Sequence, residues 1–159
     1  MSLDSATELK IQQKIRQAED DLVIWIQAAL DSDKSYGDLK EAQFRNLVRV
    51  ASSTESTEVI KNFLLYQASK KEDGRDYKWG WGENSLAQNI IKDINTVIHN
   101  RAQDIAKETS PNHSNQIWLE LIRRYLGYGS RYLKYINSIK NERDDKGQGT
   151  KRITEKPKK

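Results

Sequence analysis

Apolar residues recur along this chain at steps of three and four, and very little interrupts them. Only two prolines and eight glycines stand among 159 residues. That pattern keeps one face of each segment apolar at the period of an α-helix. The first segment, about Ser5 to Leu30, carries Ile11, Ile15, Ala18, Leu22, Trp25 and Ala29 on one seam. Near Leu22–Ile26 it is apolar nearly all round, which predicts enclosure on more than one side. A second helix is expected from Asp38, with Asp38 and Glu41 as a capping-box-like pair. Its inner face is Leu39, Ala42, Leu47, Val50 and Ala51, with Phe44 and Val48 at the margins. The polar run 52–57 cannot pack in a core, so it ends this helix and caps the next. The third helix presents Val59, Ile60, Phe63, Leu64 and Gln67.

Residues 70–84 carry three glycines and several acidic residues, and read as a loop. Within it Trp79 and Trp81 alternate with Gly80 and Gly82, so the two indoles either fold back onto the bundle or face a partner. A fourth helix runs from about Ser85 to Glu108, capped by Asn84 or Ser85, with Leu86, Ile90, Ile94, Val97 or Ile98, and Ile105 inward. Thr109-Ser110-Pro111-Asn112 stops it. The fifth starts near Ser114 and reaches about Asn141. Gly127 and Gly129 each cost that helix about 1 kcal/mol against alanine, which predicts a kink, a break or a close backbone contact. The expectation is therefore an all-α fold: a single bundle of about five helices over residues 1–141, with a disordered basic tail over 142–159.

Charge is unevenly placed. Residues 1–38 carry −4, 39–113 carry +1, 114–139 carry +3 and 140–159 carry +4. A chain polarised in this way suits head-to-tail stacking or one-sided contact with a polyanion. The plainer alternative is that the basic end only aids solubility. The chain has no cysteine, which excludes disulfides and thiolate metal sites and fits a reducing cytoplasm. The opening residues MSLDSATELK lack the apolar stretch of a secretory signal. The longest apolar run, Leu22–Ile26, falls far short of the roughly 18 residues of a membrane span.

Catalytic chemistry finds no constellation. His99 and His113 lie outside any zinc-binding spacing; His99 reads as a helix-surface or half-buried residue and His113 as an exposed turn residue. No nucleophile elbow occurs. Gly127-Tyr128-Gly129-Ser130 is a fragment of a phosphate loop without its lysine or strand. The expectation is a non-enzyme with no metal and no cofactor. Binding chemistry is better represented. Arg123, Arg124, Arg131 and Lys134 interleave with Tyr125, Tyr128, Tyr132 and Tyr135. Arginine grips phosphate bidentately and tyrosine stacks on unpaired bases. Equally, the tyrosines edge the core and the arginines extend past them. Arg45 and Arg49 form a second basic stripe, and Lys61 and Lys70 flank the third helix. Trp79, Trp81 and Tyr128 are the candidate stacking or docking residues.

The helix pair Phe44-Arg45-Asn46-Leu47 and Val59-Ile60-Lys61-Asn62-Phe63-Leu64-Leu65-Tyr66-Gln67, with the Trp79-Gly80 loop and the Leu86–Ile98 helix, resembles the small helical subunit of type III CRISPR RNA-guided effector complexes. The resemblance spans roughly residues 40–100. Where that family often has a small residue and an arginine after the second helix, Ser69-Lys70 stands here. The resemblance implies a non-enzymatic helical bundle of an antiviral defence complex. Its copies would stack on one another and on other effector subunits. Basic faces would touch the backbone of guide or target RNA, or of single-stranded DNA, without reading sequence. The alternative reading is a helical protein–protein adaptor, using Trp79 and Trp81, with no nucleic-acid role.

Overall fold

The computed structural model describes residues 3–32, 35–69 and 77–155, with side chains described as far as Arg143. Every regular element in these residues is helical, and no strand occurs among them. The elements are α1 (Ser5–Gln17), α2 (Glu19–Asp31), α3 (Glu41–Ser53), α4 (Thr57–Ser69), α5 (Leu86–Asp93), a π turn (Ile94–Ile98), α6 (His99–Glu108), a 3-10 turn (Pro111–His113) and α7 (Ser114–Glu155). Since α1 continues into α2 and α5 into α6, they make five rods, the number the periodicity predicts.

The first rod is broken at Ala18, where the backbone flattens to ψ −10° without leaving the helical region. Glu19, Asp20 and Asp21 follow at once. Three acids mid-helix oppose nothing useful, but in a first turn they face the positive end of a helix dipole. The start of α3 differs from the Asp38 expectation. Leu39 is buried and reaches the core from extended backbone. The helix then begins at Glu41, and the Lys40 N–H donates to Gln43 Oε1 at 2.9 Å. The reciprocal partner is thus Gln43 and not Glu41. Phe44, placed at the margin by periodicity, is wholly buried, while Ala42 is exposed. The polar run separates the two helices as expected, but Thr57, at its end, is buried in the first turn of α4. Ser56 Oγ accepts from Val59 N at 3.3 Å, capping α4. Ser85 is the cap of α5, accepting from Gln88 N at 3.1 Å.

The buried face of the fourth rod is Leu86, Ile90, Ile94, Ile98, Ala102 and Ile105. Repeated four-residue steps drift about 40° each on a 3.6-residue turn. The wider π turn at Ile94–Ile98 takes up that drift and holds the stripe inward. The Ile94 carbonyl in this turn accepts from Trp118 Nε1 at 2.9 Å.

α7 is the central rod, packed against α1, α2, α3 and α6. Ile117, Leu119, Leu121, Ile122, Tyr125, Leu126 and Leu133 are buried along it. It runs unbroken through both glycines. A Cβ on Gly129 would lie 2.7 Å from Ile26 Cγ1 and 2.8 Å from Phe44 Cζ, whereas one on Gly127 meets nothing within 4 Å. Of the three outcomes expected for this pair, close approach holds at Gly129 alone. The helix continues to Glu155 and so enters the stretch read as a tail. No helix among the described residues is long and apolar enough to cross a membrane.

Candidate nucleic-acid interface

α3 and the second half of α7 lie side by side, and the seam between them is an open groove of about 400 Å³. Lys40, Glu41, Ala42 and Arg45 line one wall, Ser130, Arg131 and Lys134 the other. Four cations therefore face one channel. Arg45, Arg131 and Lys134 are exposed and make no ion pair or hydrogen bond among the described residues. Lys40 makes an exposed pair with Asp38 at 2.9 Å, the kind of contact that contributes little and exchanges readily. Glu41 is the acid in the groove, and the Asn137 amide reaches it at 3.4 Å. The first turn of α3 also lies here, bringing the positive end of its dipole. Arg49, one turn beyond Arg45, extends the cationic edge and is exposed. An anion entering this groove meets positive charge from two helices in solvent-accessible positions, and its arginines can grip phosphate bidentately.

Other predicted residues are placed differently. Arg123 is occupied within the fold. Its Nε donates to the Ala51 carbonyl and its Nη2 to the Thr54 carbonyl, each at 2.9 Å, closing the C-terminal end of α3. Arg124 is held by Glu19, by Glu120 at 3.1 Å and by Gln12 at 3.3 Å. Burial alone disfavours its charge, but the Glu120 hydrogen bond and the two carboxylates outweigh it and raise its pKa. Lys61 pairs with Glu58 at 2.7 Å, donates to Asn95 Oδ1 at 3.1 Å and lies 5.7 Å from the Trp118 ring centre. These three cations brace helices and are engaged within the fold, where their candidate role in the sequence is contact with a polyanion. Lys70 lies outside the described residues.

The aromatic candidates also divide. Trp79 is buried and stacks on Phe44, ring centres 5.6 Å apart, so it belongs to the core. Trp81 stands 72% exposed, 6.2 Å from the Tyr77 ring. Tyr128 is partly buried and packed against the core. Tyr125 is fully buried and donates to Asp93 Oδ2 at 2.7 Å; burial raises both its own pKa and that of the Asp93 carboxyl. Tyr132 donates to the Asp31 carboxylate at 2.8 Å, which moves its pKa to about 12.

Lys40 and Tyr77 were not picked out from the sequence. The helix start expected at Asp38 puts Lys40 inside the helix, whereas α3 begins after it. Nothing local marks Tyr77 as the neighbour of Trp81. No group of three or more His, Asp or Glu side chains able to hold a metal occurs among the described residues. His99 is half-buried, edge-on to Trp118 with ring centres 4.7 Å apart, and His113 Nδ1 lies 2.7 Å from Ser110 Oγ. No protein-family model matches this chain, and no curated protein or solved structure is similar to it at a significant level.

Proposed function

We propose that this protein is a non-catalytic helical subunit that rests its α3–α7 groove on a nucleic-acid backbone, in an assembly of the type III CRISPR effector kind. The observation that carries the reading is the convergence of Lys40, Arg45, Arg131 and Lys134 on one open groove, three of them without an acidic partner among the described residues. Such cations supply affinity through counterion release and read no sequence. The sequence resemblance over residues 40–100 suggests the assembly context, and α3, one wall of the groove, lies within that stretch.

The test is a salt titration of RNA binding by fluorescence anisotropy, comparing the intact chain with Arg45→Glu/Arg131→Glu/Lys134→Glu. Each phosphate contact contributes about 0.7 to the log–log salt slope on a single strand. The triple variant is expected to bind more weakly at low salt and to lose about 2 from the slope. Equal slopes for both proteins would remove the groove from the interface. A second reading, an adaptor without a nucleic-acid role, draws on Val59, Leu65 and Tyr66, large apolar side chains exposed on α4. It expects negligible RNA binding at any salt.

A further inference from the structure

An indole in water is costly to maintain, and Trp81 is kept there by a loop with little freedom. Trp79, two residues before it, is stacked on Phe44 in the core. The Gly80 N–H donates to the Tyr77 carbonyl at 3.2 Å and the Ser85 N–H to the Gly82 carbonyl at 3.3 Å. The Trp79 carbonyl accepts from Ala87 N at 3.2 Å, and the Leu86 N–H donates to the Ser35 carbonyl at 2.8 Å. Gly80 sits at φ +85°, and a Cβ there would collide with the Ser35 carbonyl oxygen. The loop is fastened at both ends, so the backbone that carries the exposed ring is held before any ligand arrives. Preorganisation of this kind lowers the entropy lost when a flat group stacks on the ring.

The surroundings favour an anionic partner. The Gly37 N–H donates to the Lys78 carbonyl at 3.1 Å, so this loop runs beside the segment that leads into Lys40 and the cationic groove. Asp38, in that segment, has its pKa lowered by the Lys40 hydrogen bond, with Lys40, Lys140 and Lys78 adding their charges. Lysines from three parts of the chain thus act on Asp38, in the segment that joins this loop to the groove. Glu83, exposed two residues beyond Trp81, is the acid among the described residues of the loop, whose sequence also carries Glu72, Asp73 and Asp76.

We infer that Trp81, with Tyr77 beside it, is a base-stacking platform at the end of the cationic groove, and that the ligand is therefore single-stranded nucleic acid. This rests on the backbone-binding reading above and adds the ligand class. Bases within a duplex are already stacked and cannot lie on a side chain, whereas unpaired bases can. Stacking on one aromatic side chain contributes about 1–3 kcal/mol, sequence-tolerantly.

The experiment measures the intact chain against a single-stranded uridine oligonucleotide, the same length as an RNA duplex, and inorganic polyphosphate, which has the charge without the bases. Trp81→Ala is expected to weaken oligonucleotide binding about five- to a hundredfold and to leave polyphosphate binding unchanged. Trp81→Phe keeps a ring and is expected to restore most of the loss; its melting temperature, like that of Trp81→Ala, should match the parent. Unchanged oligonucleotide affinity in Trp81→Ala overturns the platform and leaves the groove standing, as does equal loss for both ligands. Preference for the duplex overturns it too. If the parent chain binds neither oligonucleotide nor polyphosphate at low salt, the backbone reading itself fails. Retained oligonucleotide affinity with loss of a protein companion makes Trp81 a protein-docking residue instead.

Discussion

Between Ser114 and Leu126, α7 turns its arginines and the Trp118 indole to partners within the molecule; between Gly127 and Arg143 it directs its cations outward. Arg123, Arg124 and Trp118 in the first half bond to carbonyls at α3 and the π turn, to the Glu19 carboxylate of α2 and the Gln12 amide oxygen of α1, with Glu120 of α7 itself as a second carboxylate. Arg131 and Lys134 in the second half line an open groove. The residue types are the same, and the spacing of charge and tyrosine is nearly the same. The difference lies in what stands opposite. The first half faces the unpaired carbonyls at the end of α3 and the acids at the start of α2. The second half faces the cationic first turns of α3. A helix end that exposes carbonyls consumes an arginine; a helix start with arginines beside it leaves one free.

The strongest way to break this comparison is to exchange the roles. Arg123→Ala leaves the Ala51 and Thr54 carbonyls without their donor. It should cost about 2–3 kcal/mol, or about 4–12 °C in melting temperature. Arg131→Ala should stay within about 0.5 kcal/mol while weakening RNA binding. Matched melting curves would show that Arg123 carries no structural role and would reopen it as a nucleic-acid contact.

The join between the halves offers a sharper contrast. Gly129→Ala forces Ile26 and Phe44 apart and is expected to destabilise by about 1–3 kcal/mol. Gly127→Ala, with open space around it, should stabilise by up to about 1 kcal/mol through helix propensity. Denaturant midpoints of the two variants should move in opposite directions. Shifts of the same sign would mean that the crossing at Gly129 is not tight.

The smallest expected effect concerns Asp93, the acceptor for Tyr125. Burial raises its carboxyl pKa in the folded chain above the unfolded value, so its contribution is full at low pH and is lost as pH rises through the folded pKa. Asp93→Asn keeps an oxygen for the Tyr125 hydroxyl and removes the charge. Relative to this variant, the parent should lose stability as pH rises from about 4 towards neutrality. A difference between the two melting temperatures that stays constant over that range would rule out the buried charge as its cause.

Local pattern was enough for the five rods, for a cap at Asn84 or Ser85 and for the polar run that separates α3 from α4. Each is written within a few residues. It was not enough for the division of the basic residues. Arg123 is assigned by carbonyls 69 and 72 residues away, and Arg124 by a glutamate 105 residues away. The Trp-Gly-Trp-Gly repeat is locally symmetrical. Only the position of Phe44 decides that one indole is core and the other surface. The groove was half legible: Arg45, Arg131 and Lys134 were named, but their meeting across α3 and α7 is a property of packing.

The π turn at Ile94–Ile98 leaves the fourth rod with one surplus residue. Its two flanking helices are each in register with the core, and the extra residue is absorbed between them. Thr96, exposed at the middle of the turn, is the site of that slack. Shortening the chain there would restore an ordinary helix without rotating either flank. The same excision one or two turns away would swing every inward isoleucine beyond it towards solvent. The rod thus has a single place where its length is negotiable, set against the indole of Trp118.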